Sequence, residues 1–439
     1  MKLMNVKGTF DYMPEDMAIR NEITDVLRKN FEKYGYLPIE TPMLNYYDLL
    51  SYKYQDDAEI LSEIYHLTDQ GERDLGLRYD LTVPFCKVVG LNKGMTLPFR
   101  RYEIGKVFRN GPVKMGRTRE FYQCDVDVVG IDNRYIEAEQ ILMAINTYRE
   151  LGIDIFVKYN NRKLMSGIIL ASGVDNKDID KVIGVIDKLE KVSREELNDM
   201  LIEIGLSEEV ITKLFDLFSK KIDEYDSINF DTVSEEAKNL FNEGLAEIRE
   251  LNSYLSELGI IEDCKFTPTL ARGLSIYTGV VFEFYDKRKR INCAIGAGGR
   301  YDKIITNFMD NGEVYPACGL SFGLEPIFVI LKEMLNTPRL VDIYMVPLGE
   351  EREKIATLKL ANELRDMGYR VLIEMKKKKI GKCFEYADRE YIRYVMIVGS
   401  DEVDSGNYKI KDMDVKSEYT LSLDELKRYL EDNKLLEGH

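Results

Sequence analysis

Phe108-Arg-Asn-Gly-Pro-Val-Lys-Met-Gly-Arg-Thr-Arg-Glu-Phe-Tyr-Gln-Cys-Asp-Val-Asp127 is the stretch on which the reading of the fold turns. Its pattern predicts a strand, a flexible basic loop and a second strand, with Arg109 on the rigid part and Lys114, Arg117 and Arg119 in the loop. The planar fork of arginine binds two oxygens at once, which suits phosphate. By composition alone, a solvated basic hairpin is the stronger reading. The second strand argues otherwise, because alternation puts Gln123, Asp125 and Asp127 on one face. Such a face is poor material for a core and good material for binding a cationic substrate.

Upstream, Ile19, Ile23, Val26, Leu27 and Phe31 space an amphipathic helix over residues 16–34. Gly35 ends it, and Pro38 and Pro42 bracket a short strand. Further β-like runs lie at Leu75–Tyr79, Phe99–Ile104 and Tyr122–Val129. Helices are predicted over Leu81–Gly90, opening at Thr82, and over Tyr135–Arg149. Residues 175–260 turn helical throughout: Asp178–Leu189, Ser193–Ile204, Ser207–Leu217 and Ser234–Leu258, with Ser193, Ser207 and Ser234 as caps.

Downstream, strands return at Val280–Phe284 and Asn292–Ile295. Arg272 precedes the first of these, and needs an anion whether that is a ligand or a structural Asp or Glu. Ala297-Gly-Gly-Arg-Tyr-Asp302 reads as a turn whose glycines let backbone approach a ligand. Gly319-Leu-Ser-Phe-Gly-Leu-Glu325 reads as a strand entering a helix, flat enough for a nucleotide base. After a boundary near Asn336, strands Asp342–Pro347, Arg370–Ile373 and Tyr394–Val398 alternate with helices Glu351–Met367 and Ile380–Glu390, a compact α/β domain.

The chain has 439 residues, which predicts two or three domains. Hydrophobic residues make up 45% and charged residues 31%, the profile of a folded soluble protein. No apolar run reaches the ~18 residues of a membrane helix. Met1–Gly8 lacks the apolar core of a signal peptide, so the cytoplasm is the expected location. Lys and Arg total 61 against 77 Asp and Glu, for a net charge of −16. That argues against a protein that coats nucleic acid, yet leaves room for one basic patch. Residues 365–393 supply a candidate: nine Lys/Arg against five Asp/Glu, including Lys376–Lys379. A solvated turn is the ordinary reading of such a run.

Only His66 and His439 are histidines, and 437–439 read as the remnant of an expression tag. A Ser-His-Asp triad, a His base and a His-rich metal site are thus nearly excluded by counting. The six cysteines form no C-x-x-C pair, so no zinc ribbon or redox motif is written here.

Together and in order, these segments resemble the histidyl-tRNA synthetases, a family of class II aminoacyl-tRNA synthetases. The resemblance spans nearly the whole chain. Lys7–Pro14 is similar to the family's entry segment, Tyr34–Pro42 to motif 1, and Leu77–Pro84 to a segment contacting the amino acid. Phe108–Gln123 resembles motif 2, Gly319–Glu325 motif 3, and Ala271–Leu274 and Gly298–Asp302 two family segments. Three departures stand out, at Pro326, Ser275 and Ile276. Pro326 stands where motif 3 ends in an arginine that clamps the γ-phosphate. Leu274-Ser-Ile-Tyr277 replaces Leu-Asp-Tyr-Tyr.

The resemblance implies an α+β class II core, an antiparallel sheet flanked by helices, with a helical insertion and a C-terminal α/β anticodon-binding-like domain. The divisions it implies are 1–174 and 263–335 for the core, 175–262 for the insertion and 336–436 for the last domain. It implies a homodimeric, ATP-binding ligase of protein biosynthesis that joins L-histidine to tRNA(His) through histidyl-adenylate. Mg²⁺ comes with ATP rather than in a protein cluster. Arg109 and Arg272 are the implied catalytic residues, on either side of the α-phosphate and on the histidine carboxylate. Asp80, Thr82, Gln123, Asp127, Tyr277 and Tyr301 complete the implied histidine pocket, and Arg117, Arg119 and Glu325 join Arg109 at ATP. The substrate brings its own ionised nucleophile, so no protein base is required. The alternative from another class is a non-catalytic paralogue that regulates ATP phosphoribosyltransferase. A synthetase-like ligase for another amino acid is a third. Retention of Arg109, Arg272 and the C-terminal domain favours the enzyme.

Overall fold

The computed structural model describes residues 3–52, 58–113, 116–189, 191–228, 234–271, 276–309 and 311–437. The chain divides into two compact units: 1–11 with 20–334, and 12–19 with 335–439. Among the described residues, no helix is long and apolar enough to cross a membrane.

The first unit carries β1 (Leu37–Pro38), β2 (Leu44–Tyr46), β3 (His66–Thr68), β4 (Asp74–Leu77), β5 (Phe99–Phe108), β6 (Glu120–Val129), β7 (Ile155–Asn161), β8 (Cys264–Phe266), β9 (Val280–Asp286), β10 (Gly296–Arg300) and β11 (Ala317–Gly323). Eight of these form one sheet in the order β1-β5-β6-β11-β10-β9-β7-β8. Its pairs from β5 to β7 are antiparallel, and only the edge pairs β1·β5 and β7·β8 are parallel. One face is sealed by aromatic packing. Phe31 of helix Pro14–Lys33 meets Tyr102 and Phe322, and Tyr148 of helix Tyr135–Glu150 meets Phe284 and Phe322. Each such buried ring contributes on the order of 2–3 kcal/mol. The opposite face is thereby free for polar side chains.

Three sequence expectations change here. The strand expected at Asn292–Ile295 begins instead at Gly296, and the glycine segment read as a turn is a central strand. Its lack of side chains is what admits it: a Cβ on Gly298 would sit 2.3 Å from the Gly319 carbonyl and 2.5 Å from the Phe282 ring. The strand bracketed by Pro38 and Pro42 shrinks to Leu37–Pro38. It lies at the sheet edge, where the missing N–H of proline is tolerated. The run at Leu75–Tyr79 becomes β4, centre of a small antiparallel sheet β2-β4-β3.

The helical block contains Ile179–Ile186, Arg194–Glu203, Glu208–Ser219 and Glu235–Glu257. Ser193, Ser207 and Ser234 accept from the N–H groups of Glu196, Val210 and Ala237, the capping read from sequence.

The second unit holds β12 (Ile343–Pro347), β13 (Val371–Ile373), β14 (Tyr394–Val398), β15 (Asn407–Asp412) and β16 (Ser417–Ser422), in the order β13-β12-β14-β15-β16. The alternating parallel part matches the sequence pattern, and the β15–β16 hairpin extends it. Helices Glu351–Asp366 and Leu423–Glu437 help enclose a core that includes Ile343, Met345, Leu364 and Met396.

Candidate active site

The free face of the large sheet carries two adjoining cavities. The inner one, of about 230 Å³, is lined by Asp80, Thr82, Arg109, Gln123, Asp127, Tyr277 and Tyr301, and also by Asp125 and Ser321. Seven residues expected at a histidine pocket are thus brought together from five separate segments. Register explains the strand contributions: Gln123, Asp125 and Asp127 of β6 stand opposite Gly323, Ser321 and Gly319 of β11. Gly319 makes the room, since a Cβ there would lie 2.1 Å from the Asp127 carboxylate. Asp80 accepts from the Val83 N–H at 2.9 Å and so fixes the start of the helix Thr82–Leu91.

Asp127 is held from two sides. The Tyr301 hydroxyl donates to Oδ1, and Arg101 approaches Oδ2 at 2.6 Å. Arg101 is wholly buried, stacks 4.5 Å from the Phe85 ring, and lies 3.8 Å from Glu103. Glu103 in turn takes Arg78 and Thr41. This buried layer of alternating charge orders the pocket floor; breaking one partner would strand the others. Burial, reinforced by Asp127, keeps the Tyr301 hydroxyl far above the ordinary tyrosine range.

Arg109 lies just beyond the end of β5, its N–H bonded to the Arg119 carbonyl at 2.9 Å. Its guanidinium stacks on Tyr79 (4.3 Å) and Phe121 (5.0 Å), and Nε donates to the Tyr79 carbonyl at 3.2 Å. Burial pushes the Tyr79 hydroxyl up to about 12, against the lowering effect of Arg109. No carboxylate among the described residues pairs with Arg109. It lines both cavities, at their junction.

The outer cavity, of about 350 Å³, is lined by Arg109, Arg117, Phe121, Glu283, Glu325 and Pro326, among others. Arg117 is the other cation along it among the described residues. Arg119, expected at ATP, is directed elsewhere: Nε donates to the Gly111 carbonyl at 3.3 Å, and its N–H to Gly8. Glu325 is buried against Arg20 at 2.9 Å and near the Tyr122 N–H. Burial raises its carboxyl above the usual range, and Arg20 opposes this. Arg272 and Ser275 lie outside the described residues, as does Lys114. Ile276, the other departure in that segment, lines the inner cavity.

Sequence reasoning missed Arg101, Glu103, Tyr79, Ser321 and Glu283. Tyr79 and Ser321 stood inside segments singled out in the sequence without a role of their own, and Asp125 was placed on the alternating face without one.

A mainly antiparallel sheet bearing an arginine at the end of its β5–β6 hairpin, with glycine strands beneath two joined cavities, defines the class II aminoacyl-tRNA synthetase core. The family model "Histidyl-tRNA synthetase" matches residues 8–327, and "Anticodon binding domain" matches 342–433. The chain belongs to the histidyl-tRNA synthetase family. It is 42% identical over 432 residues to "Histidine--tRNA ligase 1" of Bacillus cereus, covering 98% of this chain and 100% of the relative. It is 32% identical to "Histidine--tRNA ligase" of Clostridium tetani, covering 95% of each. Among solved structures, a Nostoc histidyl-tRNA synthetase aligns with a TM-score of 0.84 at 27% identity, covering 98% of this chain and 100% of that one. A Bacillus halodurans structure titled "ATP phosphoribosyltransferase regulatory subunit/histidyl-tRNA synthetase" aligns at 0.74 and 22% identity, over 91% of this chain and 99% of that one, a likeness of fold.

Proposed function

We propose that the protein is a histidine–tRNA ligase. A carboxylate oxygen of L-histidine attacks the α-phosphorus of ATP, the bond to the β-phosphate breaks, and pyrophosphate leaves. A terminal ribose hydroxyl of tRNA(His) then attacks the histidyl carbonyl, the mixed-anhydride C–O bond breaks, and AMP and a proton leave. The observation that carries this is Arg109: a cation that pairs with no carboxylate among the described residues, fixed by two rings where an amino-acid-sized cavity meets a larger one. There its fork would bridge the histidine carboxylate and the α-phosphate, neutralising charge as the two anions close.

In this reading Asp80, Thr82 and Gln123 take the α-ammonium, and Asp127, Tyr277 and Tyr301 surround the imidazole. Arg272 stands across the α-phosphate from Arg109. Pro326 removes the usual γ-phosphate clamp, leaving Arg117 to hold the outer phosphates, with Arg119 toward the tRNA acceptor end. Mg²⁺ would come with ATP; along the outer cavity Glu283, and Glu325 if it exchanged its contact with Arg20, would offer oxygen donors of the kind it prefers. Residues 1–174 and 263–335 form the catalytic core, 175–262 the insertion and 336–436 the anticodon-binding domain. The enzyme works in the cytoplasm as a homodimer. The exposed Leu37, Met43, Leu44 and Tyr46 of the motif 1 region support the pairing.

Charging tests this reading against the regulatory one. Purified protein with ATP, Mg²⁺, [³H]histidine and tRNA(His) should give acid-precipitable histidyl-tRNA. Stimulation of an ATP phosphoribosyltransferase without charging would contradict it. The lysine run bears on the tRNA step alone. Lys377 pairs with the exposed Glu350, and Lys378 with the largely buried Glu374; an exposed ion pair yields readily to phosphate. Neutralising Lys376–Lys379 to glutamine should raise KM for tRNA about tenfold and leave pyrophosphate exchange within about twofold. Equal loss of both activities would count against an anticodon-side contact.

A further inference from the structure

Asp125 has no part in the site assigned above, yet it lines the same cavity as the residues that do. It lies between Gln123 and Asp127 on one face of β6, each neighbour ~6.6–6.8 Å away along the strand. The Ser321 hydroxyl bonds its carboxyl from the facing strand, and Gln123 Nε2 donates to the same hydroxyl at 3.4 Å. Oδ1 of Asp125 is buried with no hydrogen-bond partner among the described residues, and so is Oε1 of Gln123. Asp127 is held more firmly, with Tyr301 on Oδ1 and the Arg101 charge 2.6 Å from Oδ2, though that Oδ2 too has no hydrogen bond among the described residues. A carboxyl oxygen left without a partner in a polar cavity calls for one from the ligand.

We propose that Asp125 is a specificity-determining residue of the amino-acid pocket, sharing one proton with the Nδ1 nitrogen of the bound imidazole while Asp127 serves the far side of the ring. This rests on the histidine reading above. In that reading the carboxylate at Arg109 and the ammonium near Asp80 leave the β6 face of the cavity, with Asp125 and Asp127, to meet the imidazole.

The charge surroundings favour a shared proton. Arg101 and Glu103 face Asp125 from β5, Arg109 from beyond that strand's end, Asp127 from β6 itself and Asp80 from the segment before helix Thr82–Leu91. Tyr79, Tyr277 and Tyr301 close the cavity, and β10 and β11 bring no charge to it. Burial pushes the Asp125 carboxyl up to about 7; Asp127 and Asp80 reinforce this, and Arg101 and Ser321 oppose it. A free imidazole titrates near ~6.5. The two groups are therefore matched, and the pair holds one proton between them in either arrangement: neutral acid donating to Nδ1, or carboxylate accepting from the imidazolium. Against burial, its acidic neighbours hold Arg101 above its ordinary range, and Tyr79 and Tyr301 titrate far above this range.

The sign follows. Above about pH 7 the free carboxyl has lost its proton and binding must take one up, so affinity falls with rising pH. Titration calorimetry of histidine binding to the full protein should show Kd weakening roughly tenfold from pH 7 to 8.5, with about one proton taken up per histidine at pH 8 in buffers of differing ionisation enthalpy. Asp125→Asn, whose amide donates at every pH, should bind at pH 7 within about threefold of the parent and stay flat to pH 8.5. Asp125→Ala should be about tenfold weaker at pH 7 and equally flat. A limb that persists in Asp125→Asn overturns the proposal, and so does parental binding that is flat with no proton uptake, a result that needs no variant. Either outcome leaves the histidine reading standing. Failure to bind histidine at any of these pH values would overturn the histidine reading, and this proposal with it.

Discussion

Arg109→Ala should lower histidine-dependent pyrophosphate exchange by about 10³-fold, roughly 4 kcal/mol of transition-state stabilisation. The guanidinium lines both cavities, and no carboxylate among the described residues forms an ion pair with it. Its charge therefore faces whatever anions occupy them. The loss should appear mainly in kcat, because the contact tightens as the carboxylate and α-phosphate converge. Arg109→Lys keeps the charge but loses the fork and the stacking on Tyr79 and Phe121, and should recover no more than about tenfold. The fold should survive both changes, since Arg109 ties the protein together with one hydrogen bond to a carbonyl and two ring contacts. Steady-state exchange with far-ultraviolet circular dichroism as a folding control checks this. Activity within fivefold of the parent in Arg109→Ala would remove the residue from the reaction.

The second large effect is on stability. Arg300 closes β10 and is buried with Glu137, which its Nε and Nη2 meet at 2.7 and 3.1 Å. Its remaining N–H groups reach the Ile131 and Asn133 carbonyls at 3.0 and 3.1 Å. Arg300→Met would strand the carboxylate of Glu137 and two carbonyls in the interior, with Arg134 at 3.6 Å as the nearest relief. The expected cost is about 3–5 kcal/mol, read as a lower urea midpoint. Replacing both partners, Arg300→Met with Glu137→Leu, should recover about half of that, because the buried Glu137 charge is gone while the Ile131 and Asn133 carbonyls and Asp302 still lose their donor. A cost under about 1 kcal/mol for Arg300→Met alone would contradict the structural role assigned to the pair.

Much of the site was legible because its chemistry is written in local order. The arginine loop between two strands, the alternating Gln123, Asp125 and Asp127, and the serine caps of the helical block all rest on short-range rules that packing then respected. The misses share a different cause. Arg101 is a charge in mid-strand, which reads as solvent-facing until Asp127 and Glu103 are seen to enclose it. Gly296–Arg300 has the composition of a turn. It became a strand because Phe282 and the Gly319 backbone leave no space for side chains at Gly298. Glu283 reaches the outer cavity from a strand distant in sequence, and Lys377 and Lys378 find acids in folding that composition could not pair. In each case the deciding neighbour is remote along the chain.

Two opposed features bear on activity. Arg109 and the six other described residues expected at the pocket line one cavity, while Pro326 stands where the family resemblance implies a γ-phosphate clamp. ATP–pyrophosphate exchange of the intact protein, with each of the twenty amino acids in turn, weighs them directly. Exchange with histidine at least about 10³-fold above the other amino acids is the predicted result, because unpaired polar groups in the pocket penalise any side chain that cannot satisfy them. Absence of exchange with histidine, despite measurable histidine binding, would contradict the enzyme and leave a sensor built on the same fold.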